Sequence, residues 1–205
     1  MTGREQKLIL WTIQPEDVYK ELVKTGIYHC RPEEAFMYEN WKESYDWLAS
    51  QMKKRVGLPP KGVTLPVWAW YQWERARKKP DLRKERWGNG FYGEKFVCLE
   101  CDITDHEVLL SDFDSWSIVL SNSLIYWTEE EYNKTEPVFD ALPEEEQKVM
   151  RYQNWSERLF DLTPLDNDWI TRGSSIQATF WELRLEQVRE VRHFVAASKK
   201  PTNIT

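Results

Sequence analysis

Four groups of side chains in this sequence are of types that could do chemistry. They are a Cys-Leu-Glu-Cys run, three scattered histidines, two tryptophans beside a basic stretch, and a late Gln-Ala-Thr-Phe-Trp-Glu segment. Cys98 and Cys101 have the spacing of a metal or redox pair, but zinc needs further ligands, and Cys30 is the one other thiol in the chain. "KFVCLECDI" alternates like a strand, and a strand sends residues three apart to opposite faces, so the two thiols read as buried side chains. A redox role would need a helix N-terminus to stabilise the thiolate, and this context offers none. His29, His106 and His193 lack the His-x-x-x-His or Glu-x-x-His spacing of metal sites, so no metal is expected. "WGNGFYG" holds Gly88, Gly90 and Gly93 but opens no helix of a βαβ unit; the glycines read as loop geometry. No nucleophile elbow and no phosphate loop occurs.

The tryptophans point elsewhere. Trp68 and Trp70 share one face of the alternating run "VTLPVWAWYQW", opposite Val67, Ala69 and Tyr71. Just beyond lies "ERARKKPDLRKER", with seven basic and three acidic residues. Aromatic faces beside basic side chains can stack a base while meeting phosphate, with Arg75, Arg77 or Arg83 as the phosphate partner. Arg83 is favoured because a Pro-Asp turn precedes it and can aim it inward. The competing readings are burial in the core for the rings and a solvated surface for the charges.

These side chains need elements to hold them. "LILWTIQ" reads as a strand running into a helix that starts at Pro15 and ends at Gly26. A longer helix is expected from Pro32 to Val56, with an apolar stripe of Phe36, Trp41, Tyr45, Leu48 and Met52. "KFVCLECDI" directs Val97, Leu99, Cys101 and Ile103 to one face. "VLLSDFDSWSIVLSN" reads as strand, turn and helix, with Ser111 or Asp112 as the cap and Asp112 alternatively as part of a site. Residues 128–160 are acidic and mostly helical, and "IQATFWELRLEQVREVRHFVAA" returns to strand, helical turn and strand.

The whole chain bounds the possibilities. Its 205 residues show neither a linker nor a repeat, so a single domain over 1–205 is expected. With 12 Trp against 9 Tyr and 8 Phe, much of the core must be indole. The net charge of −6 gives no general attraction to nucleic acid or an anionic membrane. An apolar run too short for a leader or a membrane span, together with three cysteines, fits a cytoplasmic protein.

The order of elements, carried by "LLSDFDSW" and "PVWAW", resembles a bacterial family known only as a domain of unknown function, over nearly the whole chain. More distantly, the layout is similar to the ADP-ribosyltransferase fold, in particular its nucleic-acid-modifying toxins and tRNA 2′-phosphotransferases. That second resemblance implies an α+β domain, a small mixed or antiparallel sheet with packed helices, and NAD as substrate. It implies a nucleic-acid or protein acceptor, a toxin or phage-defence role, and an antitoxin partner. Residue by residue it implies Thr12 and Gln14 on the first strand, Trp68 and Trp70 under the nicotinamide, and Arg83 at the phosphates. Gln177 and Glu182 fall in its catalytic segment. Thr179 stands where such toxins carry the acid, which makes Glu182 the alternative and catalysis atypical. The reading from a different class is a non-catalytic module that binds a nucleotide or nucleic acid in the same aromatic and basic cleft.

Overall fold

The first strand organises everything around it. In the computed structural model, which describes residues 6–35, 38–82 and 93–196, β1 (Lys7–Pro15) ends at a proline and passes directly into α1 (Glu16–Thr25). Glu16 and Asp17 lie at the positive end of that helix. Gly26 closes it at φ 81°, where a side chain would be strained, and its N–H donates to the Leu22 carbonyl at 2.8 Å.

The chain continues through β2 (Ile27–Tyr28), α2 (Lys42–Arg55), β3 (Val67–Gln72), β4 (Lys95–Thr104), β5 (Leu109–Asp112) and α3 (Phe113–Leu120). Two helices, α4 (Glu129–Asp140) and α5 (Glu144–Arg158), precede β6 (Leu165–Asp166), β7 (Thr171–Arg172), β8 (Ile176–Phe180), β9 (Leu183–Arg184) and β10 (Val188–Val195). Six strands form one sheet in the order β10-β4-β1-β3-β8-β5, each neighbour antiparallel to the next. The α+β class and the antiparallel sheet agree with the sequence reading.

One helix differs. Pro32 opens a short 3-10 turn, Pro32–Glu34, and a second such turn spans Tyr38–Asn40, so α2 begins only at Lys42. Glu34 caps the start of the first turn, accepting from the Arg31 backbone N–H at 3.2 Å, and the chain leaves it in extended conformation at Ala35.

Strand alternation divides the core as expected. Leu10, Val67, Ala69, Val97, Leu99, Cys101, Ile103, Ala178 and Phe180 form one cluster with Val18 and Leu22 of α1. On the opposite face α2, α3 and α5 supply Leu48, Met52, Trp116, Val119 and Trp155, with Trp68 packed against them. A third cluster gathers Trp11, Trp70, Trp73 and Cys98. Cys98 and Cys101 therefore lie on opposite faces of the sheet, as their spacing within a strand requires.

One departure from regular pairing opens a cavity in the sheet. β1 pairs with β4 at every position from Lys7 to Pro15, yet it pairs with β3 at Trp11 and Trp70 alone. Beyond that point the two strands part. The Thr12 hydroxyl bridges the start of the gap by donating to the Trp68 carbonyl at 2.7 Å.

Candidate functional site

The gap between β1 and β3 is lined by side chains from both faces of the sheet. Ile13 and Gln14 come from β1, Val67 and Trp68 from β3, and Gln177 from β8. Tyr28, Cys30, Glu34 and Ala35 come from the segment after α1, Tyr45 from α2 and Trp116 from α3. They enclose a cavity of about 250 Å³. An apolar cavity of about 150 Å³ holds benzene, so this one has room for a single substituted ring.

Aromatic rings make one wall. Trp68 and Trp116 have centroids 5.0 Å apart, and Tyr45 meets both edge-on, at 6.1 and 5.7 Å. Such pairs contribute about 0.5–1.5 kcal/mol each beyond area burial, which fixes the wall before any ligand arrives. Burial pushes the Tyr45 hydroxyl up to about 12 and, with the nearby Glu34 charge, the Cys30 thiol up to about 11. The Tyr28 hydroxyl is also raised, by burial first and then by the charges of Cys30 and Glu34. All three groups carry their protons at neutral pH.

Polar groups make the other wall. Gln14 donates from Nε2 to the Thr12 hydroxyl at 2.7 Å. Glu34 accepts from the Tyr28 hydroxyl at 3.1 Å and pairs with Arg31. Gln177 sits directly across from Trp70 on one side and Ser111 on the other, all on one sheet face. Its Oε1 is buried with no hydrogen-bond partner, as is the Ser111 hydroxyl. A buried acceptor left unmade costs about 1–3 kcal/mol.

Of the side chains singled out in the sequence, Gln14, Trp68 and Gln177 line this cavity. Thr12 stands behind it, fully buried, holding Gln14. Trp70 neighbours Gln177 but turns into the cluster with Trp73, 4.6 Å away and perpendicular, and Phe113. Glu182 is elsewhere. It lines a different cavity with His106, Glu107 and Trp181, bonded by Arg184 at 2.7 Å and His29 at 3.2 Å. Burial would raise its pKa, but those two hydrogen bonds win and hold it below the ordinary carboxylate range.

Thr179 is sealed in the core with its hydroxyl against the Met52 sulfur and the Leu109 carbonyl. Arg83 lies outside the described residues. The other two arginines weighed for phosphate are engaged within the fold: Arg75 is paired with Asp166, and Arg77 lies 3.5 Å over the Tyr71 ring while donating to the Ile9 carbonyl. Neither lines the cavity.

Tyr28, Cys30 and Glu34 were not singled out as site residues, because nothing local marks them. Tyr45 belongs to the apolar stripe expected of the helix, and both it and Trp116 are buried at one edge of the cavity. Asp112 resolves as a structural group. One carboxylate oxygen accepts from the Ser115 N–H at 2.8 Å, capping α3, and the other accepts from the Gly173 N–H at 2.8 Å.

A family model described as a domain of unknown function, DUF3841, matches residues 9–189. The chain belongs to the DUF3841 family. That match takes in the whole gap between β1 and β3 as well as Gln177 and Glu182, so the cavity lies inside the DUF3841 domain. No curated protein and no solved structure matches the chain. No helix among the described residues is long and apolar enough to cross a membrane.

Proposed function

We propose that this DUF3841 protein binds a nucleotide by seating its planar ring in the gap between β1 and β3, with NAD as the candidate. The observation that carries the reading is the meeting of Gln14, Trp68 and Gln177, from three strands, in one aromatic-walled cavity. An indole face attracts a flat ring, and more so a cationic one such as oxidised nicotinamide, which Glu34 would also favour. A side-chain amide matches a carboxamide or the amino edge of a base. The volume of about 250 Å³ is small beside most ligand pockets, so the ring enters and the sugar and phosphates stay outside.

ADP-ribosyl transfer is the more specific form of the same reading. Transfer needs a carboxylate near the ribose to stabilise an oxocarbenium-like transition state. The carboxylate lining this cavity is Glu34, and Glu182 lines another, so binding is the better-supported half of the proposal.

NAD should raise the melting temperature and quench tryptophan fluorescence. Absence of both effects at millimolar NAD overturns the binding reading. Released nicotinamide, or a labelled macromolecule in cell extract, would extend it to transfer, and Glu34→Gln should then abolish release while keeping the fluorescence change.

A further inference from the structure

We infer that the cavity is wired to take a ring carrying an amide or amino group at its edge, and that Thr12 is the positioning residue that sets this preference. The inference rests on the nucleotide-binding reading above. Thr12 has a single hydroxyl proton, and it is committed to the Trp68 carbonyl at 2.7 Å. The same oxygen can then only accept from Gln14, so Gln14 must present its NH₂ to Thr12. Its carbonyl oxygen is left for the cavity that the side chain lines. Proton counting thus fixes an amide orientation that heavy atoms alone leave ambiguous.

Glu34, on the same lining, adds a carboxylate that already accepts from Tyr28 and Arg31. A ligand therefore gains by bringing N–H groups. A keto or carboxylate oxygen at the same edge would meet oxygen, and a site built for a donor rejects an analogue lacking it far more strongly than a purely apolar pocket does.

Two ligand pairs isolate the shared chemistry and tell its sources apart. Nicotinamide mononucleotide against nicotinic acid mononucleotide tests a carboxamide; AMP against IMP tests a base amine. Calorimetry on the full chain should show at least about a tenfold preference for the amide or amino member of one pair, a difference of about 1.4 kcal/mol. Thr12→Val, which cuts the relay, should bring the two members of that pair closer in affinity, whereas Thr12→Ser should keep the preference. Should Thr12→Val fail to fold, Gln14→Leu removes the same acceptor from a half-buried position and should have the same levelling effect. Equal binding of both members by the wild type, or a preference unchanged in Thr12→Val or Gln14→Leu, overturns this inference and leaves nucleotide binding standing. Binding by no member of either pair, together with no response to NAD, overturns the nucleotide reading itself.

Discussion

Asp112 and Gln177 lie on paired strands one register step apart, and they have opposite fates. Asp112 pairs with Ile176 and Gln177 with Ser111. Both oxygens of Asp112 accept backbone N–H groups, one from the helix it caps and one from the loop at Gly173. Gln177 has a buried oxygen that accepts nothing. A polar side chain with every bond made is explained by the fold. One with a bond missing is left for water or a ligand to meet.

The contrast can be broken by substitution. Asp112→Ala removes a cap and strands a buried donor, so chemical denaturation should show a loss of about 2–4 kcal/mol, the sum of one cap and one unmade hydrogen bond. Asp112→Asn should recover part of it, since its single oxygen can still cap α3 while its NH₂ faces the Gly173 N–H. If Asn were as stable as Asp, the second bond would be worth nothing and the contrast would lose half its basis.

Gln177→Leu should move in the other direction. Removing an unmet acceptor in favour of an apolar side chain of similar size should leave stability unchanged or raise it by about 1 kcal/mol, while abolishing the fluorescence response to NAD. A clear loss of stability would make Gln177 a structural residue like Asp112.

Glu182 supplies the smallest effect and a control away from the cavity. Its carboxyl is held below its usual range in the folded protein, so its contribution to stability is fully present above the ordinary carboxylate pKa. That contribution is lost as pH falls through the folded value. Glu182→Gln should flatten the acid limb of the stability profile slightly and leave ligand binding untouched. Loss of binding in Glu182→Gln would return this residue to the site.

Local pattern made much of this legible in advance. Alternation correctly divided Val67 and Ala69 from Trp68 and Trp70, and the strand-turn-helix grammar narrowed the cap to Ser111 or Asp112, of which the structure uses Asp112. Gln14, Trp68 and Gln177 came from a resemblance in layout, and they do converge. What escaped is non-local. The cavity exists because β1 and β3 pair at one position and then separate, and strand periodicity carries no record of which partner a strand leaves. Tyr28 is placed by the pairing of β2 with β9, and Glu34 by the short turns that replace the helix expected from Pro32. Arg75 and Arg77 looked free because their partners, Asp166 and Tyr71, could not be paired with them by spacing.

The strand order also has a consequence for how the protein is made. β1 emerges first but lies in the middle of the sheet, and its neighbours β3 and β4 follow some fifty to ninety residues later. Such long-range closure is slow, and it leaves a hydrophobic strand waiting during synthesis. β8 arrives later still, bringing Gln177. A chain halted before Ile176 already has Gln14 and Trp68, but it lacks one wall of the cavity and exposes the open edge of β3. On the proposed reading, a growing chain must therefore extend past β8 before a nucleotide could meet every wall of the cavity.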